Sequence, residues 1–504
     1  MVNNQLKAGV ILNYVVIILN TVVGLLYTPY MLRMLGQSEY GLYSLVASVI
    51  AYLTVLDLGL GNAVVRYTSK YRAENNQVAQ YKMFGMFLLL YFVISIIVVV
   101  IGMGLYLNVD RMFGETMTPI ELNHARVMIL IMVFNLAFSF PMSIFGSIIN
   151  AYERFVFPKV ISIIRIILNT IVMLALLHMG YKAISMVVVQ TVFNVATLVL
   201  NYWYCKKQLR IHVYYGKFQL GFLREVAIYS FWIFLNVIMD RIYWSTGQFV
   251  LGAVSGTIAI AVFSVAIQLE HMYMQFSTAI ANVFLPKVTR MVTINNNAKE
   301  ISDLFIKTGR IQNIIMSLVL FGFLAFGKQF VVLWAGMEYA DAYIIALLFF
   351  VSLYIPLIQN LGITILQARN QMKFRSLLYI VIATVALVLQ YFFSILWGGV
   401  GCAIAISGAL VLGQGLIMNI YYNNYQNIEI IPFWKEILKM NFVPLIITTS
   451  AMIVLSNYEI NTWPSLILAI VAYLVVYMPS YYLFSMNLEE RQLIMKPIKR
   501  IIKK

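Results

Sequence analysis

The stretch Leu56-Asp57-Leu58-Gly59-Leu60-Gly61-Asn62-Ala63-Val64-Val65-Arg66-Tyr67 decides how the chain is read. It follows an apolar run, Tyr40 to Val55, that belongs to a membrane helix. It then sets an acid, two glycines and an arginine where that helix should leave the lipid. An aspartate so deep in an apolar run is costly in hydrocarbon and faces protein or water instead. The glycines lower helix propensity and admit close backbone approach, so this helix end can pack tightly or bend.

The whole chain has the same character. Of its 504 residues 62% are hydrophobic and 11% charged. Soluble proteins carry about 25% charged residues, so this is an all-α integral membrane protein. Apolar stretches of 18 to 25 residues recur from end to end. Each can cross about 30 Å of hydrocarbon as a helix. The net charge of +16 reads as loops obeying the positive-inside rule rather than as a nucleic-acid surface. Cys205 and Cys402 lie far apart with no ligand-like spacing, so neither a disulfide nor a metal site is expected. The first apolar run, Ala8 to Tyr27, lacks a cleavage site and reads as the first spanning helix.

Fourteen helices are predicted, over 8–32, 40–64, 83–107, 122–148, 157–178, 182–204, 225–251, 257–285, 311–333, 341–366, 376–397, 400–424, 440–457 and 464–485. With both termini cytoplasmic, 28 of the 35 Lys and Arg residues fall in inner loops and tails, Arg310 among them. Only Arg33, Arg111, Lys182 and Lys328 fall outside, and Arg126, Arg165 and Arg241 lie within helices. That asymmetry sets the orientation. A weak duplication is also visible. Leu19-Asn20 matches Leu235-Asn236 at an offset of 216, and Pro141 matches Pro356 at 215. It predicts two six-helix bundles, 1–222 and 223–430, around a central cavity, with two further helices and a basic tail in 431–504.

Polar residues follow single helix faces. Helix 8 carries Ser264, Gln268, His271, Gln275 and Thr278. Helix 7 carries Asn236, Asp240, Tyr243 and Gly247, with Arg241, Ser245 and Gln248 on the adjacent stripe. Helix 5 carries Ser162, Arg165 and Asn169. Such groups can simply hold helices together in lipid. The ionisable ones, Asp57, Arg165, Asp240, Arg241, Glu270 and His271, are harder to explain as glue, because an intramembrane charge costs roughly 2.5–3.5 kcal/mol even on insertion scales. Arg165 has a second reading, since its long side chain can snorkel to the inner headgroups. His271 also has one, as a hydrogen-bonded packing residue. No phosphate-binding loop and no H-E-x-x-H motif occurs, and the outer loops are short. These absences speak against an enzyme, and no cofactor is expected.

Together with Leu35-Gly36-Gln37-Ser38-Glu39-Tyr40-Gly41-Leu42-Tyr43-Ser44, the opening stretch resembles the N-terminal signature of the Wzx-like polysaccharide flippases of the MOP superfamily. The resemblance implies a MATE-like plan of six plus six plus two helices in a bacterial cytoplasmic (inner) membrane. It implies that the chain flips polyprenyl-pyrophosphate-linked oligosaccharide repeat units to the outer leaflet for surface polysaccharide such as O-antigen and lipopolysaccharide. Membrane lipids and polysaccharide-assembly proteins are its implied partners. On that reading Arg165 and Arg241 bind the pyrophosphate, since a guanidinium fork donates in pairs to phosphate. Asp57, Asp240, Glu270 and His271 then couple or balance charge. The alternatives are another MOP-type exporter (of a lipid precursor, or a multidrug/cation antiporter), a membrane polysaccharide polymerase or acyltransferase, and a scaffold. A cation-drug pump should carry cavity acids without matching arginines, so Arg165 and Arg241 favour an anionic cargo.

Overall fold

The computed structural model describes residues 2–215, 220–294, 297–369, 371–456, 458–492 and 495. Among them all regular structure is helical. Ten helices are long and apolar enough to cross a membrane, or eleven if Ala342–Ile358 and Leu361–Ala368, bent by 43°, form one span. The chain divides into two compact units, Met1–Ala261 and Val262–Lys504.

The first unit opens with α1 (Val2–Leu53), which is interrupted at Gly36. There φ is +75°, a conformation that glycine adopts without steric cost. A 3₁₀ turn, Thr54–Asp57, separates α1 from α2 (Leu60–Ala73). Sequence periodicity runs one helix through 40–64, and the structure breaks it at this turn. Leu58 and Gly59 both take positive φ, 53° and 71°, and consecutive left-handed residues cannot continue a right-handed helix. Then follow α3 (Gln77–Phe113), α4 (Pro119–Ala151), α5 (Val156–His178), α6 (Ala183–Lys207), α7 (Leu220–Trp244) and α8 (Thr246–Val254). Helix takes up most of the expected connection 108–121: α3 runs on to Phe113, and a capping box of Thr118 and Glu121, with Pro119 in the first turn, starts α4 early.

Within this unit α3 packs on α4, α4 on α6 and α2, and α1 on α5. Pro141 sits inside α4 and has no N–H to give the Ala137 carbonyl. Ser95 of α3 supplies the missing donor, with Oγ 2.7 Å from that oxygen. The gap that the proline leaves in the hydrogen bonding of α4 is thus filled from the neighbouring helix.

Helix α9 (Gly256–Ile294) leads into the second unit. There it meets α10 (Ala298–Ala335), α11 (Ala342–Ile358), α12 (Leu361–Ala368), α13 (Lys373–Leu410), α14 (Met418–Asn424), α15 (Ile430–Leu455) and α16 (Trp463–Ser480). α13 contains a break at Trp397–Gly398 and passes into α14 through a π-turn, Val411–Ile417. α15 and α16 are built into this unit's core, where Phe326, Met440, Leu466 and Tyr477 cluster. A polar ladder runs alongside. Tyr473 pairs with Thr448 at 2.9 Å, Tyr477 with Ser317 at 3.3 Å, and Tyr481 accepts from Asn313 at 3.1 Å. In lipid, such interhelical hydrogen bonds bind helices that hydrophobicity alone cannot distinguish from acyl chains.

One charge reading is corrected here. Arg310, counted from the sequence among the loop cations, is 6% exposed. Its Nε donates to Glu490 at 2.6 Å and its Nη1 to Glu436 at 2.6 Å. The pair buries because two carboxylates and the Ser485 carbonyl, 3.3 Å from Nη2, replace the guanidinium's water.

Candidate functional site

The opening stretch folds into a compact polar turn. The Asp57 carboxylate accepts the Tyr91 hydroxyl at 2.9 Å and the backbone N–H groups of Gly59 and Gly61. It thereby serves the unpaired N–H groups that open α2. The turn has a neighbour in α7. Thr54 Oγ1 lies 3.3 Å from Arg241 Nη2, and the Tyr52 hydroxyl reaches the Arg241 carbonyl at 3.4 Å and also bonds Thr246. The sequence stretch and the helix 7 stripe thus meet in one place.

Arg241 shares a buried Nε without a partner with Arg375, whose Nη2 donates to Tyr379 at 3.0 Å, and differs from the better-paired arginines. Arg310 is neutralised by two acids, Arg126 pairs with Asp110, and Arg72 donates to the Ala151 carbonyl at 2.7 Å while covering the Tyr152 ring. Arg241 is half-buried, its Nε is buried without a partner, and its side chain makes a single long hydrogen bond among the described residues. No described carboxylate pairs with it. A guanidinium held this way keeps most of its five donors and its full charge for something else.

The remaining expected residues fall as follows. Asp240 is exposed. Arg165 is half-buried on α5 and has no hydrogen bond or ion pair among the described residues. Lys159, in the first turn of the same helix, donates to Asn13 of α1 at 2.7 Å. The structure does not bring Arg165 to Arg241 through any described contact. In the second unit Glu270 is 0% exposed, and His271 Nδ1 lies 3.3 Å from its Oε2. The His271 ring is half-exposed, and Gln275 and Thr278 are exposed along the same polar line.

A further cluster escaped the sequence. Glu121 Oε2 closes the capping box, while Oε1 accepts Ser38 at 2.6 Å and Thr257 at 2.9 Å. Glu39 meets His124 at 3.1 Å and accepts the Ala183 N–H at 3.2 Å. Thr118-x-x-Glu121 is legible as a capping box; its cross-helix partners are not, because they lie 83 and 136 residues away.

Comparison with known proteins fits this geometry. Residues 6–292, more than half the chain, match the family described as polysaccharide biosynthesis protein. The uncharacterized membrane protein EpsK of Bacillus subtilis (strain 168) is 22% identical over 501 residues, 97% of each chain. The lipid II flippase MurJ, in an inward closed conformation, superposes with a TM-score of 0.71 at 18% identity, covering 96% of this chain and 99% of that one. An inward-facing multidrug resistance MATE transporter of the MOP superfamily gives 0.62 at 14% identity, over 81% and 96%. These neighbours are a flippase and a transporter, not enzymes. The chain belongs to the polysaccharide biosynthesis protein family of membrane proteins and has the MOP-superfamily fold that its Wzx-like signature implies.

Proposed function

We propose that the chain moves a polyprenyl-pyrophosphate-linked oligosaccharide from the cytoplasmic to the outer leaflet of a bacterial cytoplasmic membrane. The observation that carries this reading is Arg241, a half-buried guanidinium without a described counterion beside the turn that follows α1. Pyrophosphate supplies the missing anion, and the planar fork can take two of its oxygens at once. Arg165 is a second phosphate contact on α5, while the polar lines of α5 and α7 give glycan hydroxyls and water an alternative to lipid. On this reading the breaks at Gly36 and Trp397–Gly398 serve as turns and α7–α8 and α11–α12 as one span each, which would give the fourteen crossings of the six-plus-six-plus-two plan. Fourteen is even, which agrees with two cytoplasmic termini.

The test is surface glycan in a strain lacking the native gene, with the membrane level of each variant measured in parallel. Arg241→Ala should abolish display at normal protein level. Arg241→Lys should restore part of it, since the charge returns without the fork. Full display by both Arg241→Ala and Arg165→Ala would sink the phosphate site. A thiol reagent applied outside should label Lys182→Cys and miss Lys207→Cys; labelling at 207 would reverse the orientation.

A second reading is favoured by the TM-score of 0.71 to a lipid II flippase. The same guanidinium suits any polyprenyl-pyrophosphate precursor. Purified protein in vesicles, offered a polyprenyl-pyrophosphate oligosaccharide and lipid II separately, decides between them.

A further inference from the structure

We infer that the adjoining ends of α13 and α14 form a binding site for the headgroup of an anionic phospholipid, with one acyl chain laid along α13. The inference rests on the membrane fold and on these residues, not on the transport reading. It assigns one lipid class to one place, which contact with the bilayer at large does not.

α13 begins at Lys373 and α14 ends at Asn424. Aromatic rings join the two ends. Phe374 stacks on Tyr421 with centroids 4.1 Å apart, and Tyr421 stacks on Tyr425 at 5.5 Å. These rings wall a cavity of about 550 Å³ that Lys373 and Leu377 also line. Gln426, 2% exposed, holds the wall in shape. Its amide oxygen accepts from Arg369 Nη1 at 2.9 Å. Its amide nitrogen donates to Gln371 Oε1 at 2.8 Å and to the Tyr421 hydroxyl at 3.1 Å.

This network leaves the cavity with donors. Gln371 is used through its oxygen and keeps both amide hydrogens. The Tyr421 oxygen accepts from Gln426 and keeps its own hydrogen. Lys373 is exposed and makes no hydrogen bond or ion pair among the described residues. No acid offsets these groups, since no Asp or Glu occurs between Ala342 and Ile428. A lining that donates, carries a cation and holds no carboxylate suits an anion. Two further cations strengthen the positive field without lining the cavity. Arg369 Nη1 also donates to the Gln426 carbonyl at 2.7 Å, and Arg375 lies over the Tyr379 ring at 4.4 Å. One lysine in direct reach matches the single charge of a phosphodiester; a pyrophosphate calls for a second cation at the site.

The other half of the ligand is read from α13. Leu377, Val381, Val385, Val388, Phe392 and Ile395 follow one another at helical spacing and are each about half-exposed. At 1.5 Å per residue this apolar line runs about 27 Å, most of a hydrocarbon layer. Its first member, Leu377, is also part of the cavity wall. A soluble phosphate would use the donors and leave the line unused, whereas a phospholipid uses both. Tyr425, 74% exposed, stands at the head of the line, where aromatic rings sit at headgroup level. A lone interfacial lysine merely snorkels; here two donors fixed by Gln426 stand beside it. In the orientation given by the Lys and Arg asymmetry, this end meets the cytoplasmic leaflet, whose anionic lipids are drawn to basic pockets between spanning helices.

The test is photo-crosslinking of the full chain in phosphatidylcholine vesicles that hold a small fraction of phosphatidylglycerol with a diazirine beside its headgroup. Adducts located by mass spectrometry should concentrate on residues 371–377 and 421–426. Unlabelled phosphatidylglycerol should displace the label there, and zwitterionic phosphatidylethanolamine should not. Lys373→Gln should lower those adducts at least fivefold while adducts elsewhere and the melting temperature in detergent stay as they were. Lys373→Arg should keep most of them, because the charge remains. Displacement by phosphatidylethanolamine as effective as by phosphatidylglycerol, or undiminished adducts in Lys373→Gln, overturns the site. Displacement by soluble glycerol phosphate overturns the lipid assignment. Displacement by polyprenyl pyrophosphate at a tenfold lower fraction than phosphatidylglycerol gives the site to the cargo instead and overturns it too. The competition arm uses the unaltered protein and so decides the matter even where a variant fails to fold.

Discussion

Arg241 Nη2 and Thr54 Oγ1 stand 3.3 Å apart, and this long hydrogen bond is the one described contact that aims the guanidinium. It joins α7 to the turn that ends α1. Thr54 also donates its hydroxyl to the Ala51 carbonyl at 2.6 Å, so it is itself held in place. Thr54→Val keeps the shape and removes the oxygen. We expect little change in stability, about 0.5–1.5 kcal/mol for one hydrogen bond. We expect a higher KM for cargo with kcat nearly kept, because Arg241 remains charged but less well aimed. Equal falls in kcat and kcat/KM would show that Thr54 does something other than position Arg241.

The helices were legible because nothing but a membrane span explains so many long apolar runs. The α9 stripe was legible because Gln268, His271, Gln275 and Thr278 repeat at helical spacing. Arg241 could be singled out because charge is scarce in such segments. What could not be read is pairing at a distance. Arg310 looks like an ordinary loop cation until Glu490, 180 residues later, lies against it. Asp57 looks like a coupling acid until the left-handed backbone at Leu58 and Gly59 turns two N–H groups towards it. Local pattern records burial and period; it does not record which far segment supplies a partner.

Asp57 gives the second prediction. Asp57→Ala leaves the Tyr91 hydroxyl and two N–H groups without their acceptor, at a cost of about 1–3 kcal/mol. Tyr91→Phe removes a donor and should cost less. Because both changes break the same bond, the double variant should cost less than the two single costs added together. Thermal unfolding of the purified protein measures all three. Strict additivity would mean that the 2.9 Å bond contributes nothing to stability.

Arg310 gives the third. Arg310→Met strands Glu490, 3% exposed, beside Glu436 with no cation between them. Breaking a buried pair from one side costs about 3–5 kcal/mol. Replacing Arg310 and Glu490 together by Met should recover a large part of that loss, since an apolar pair carries no uncompensated charge. Melting temperature in detergent reports both. A single variant as stable as the parent would show that the ion pair does not tie the chain after α16 to α10.

The fourth prediction concerns Gly41 and Thr257 in the first unit. A Cβ on Gly41 would overlap the Thr257 carbonyl, which is backbone and cannot rotate away. The same threonine gives its hydroxyl to Glu121 at 2.9 Å, and Glu121 also takes Ser38 at 2.6 Å. One close backbone contact and one shared carboxylate therefore seat the start of α9 against α1 and α4. Gly41→Ala forces the two backbones apart, and the Glu121–Thr257 bond must lengthen or break. Glu121→Gln keeps an acceptor but loses the charge, so it should weaken the seat less than Glu121→Ala, which also removes the capping box. The measurement is thermal unfolding of the purified protein, with Ser38 and Thr257 left in place. The melting temperature should fall least with Glu121→Gln and most with Glu121→Ala or Gly41→Ala. Equal melting temperatures in every variant would mean that neither the glycine nor the carboxylate holds this seat closed.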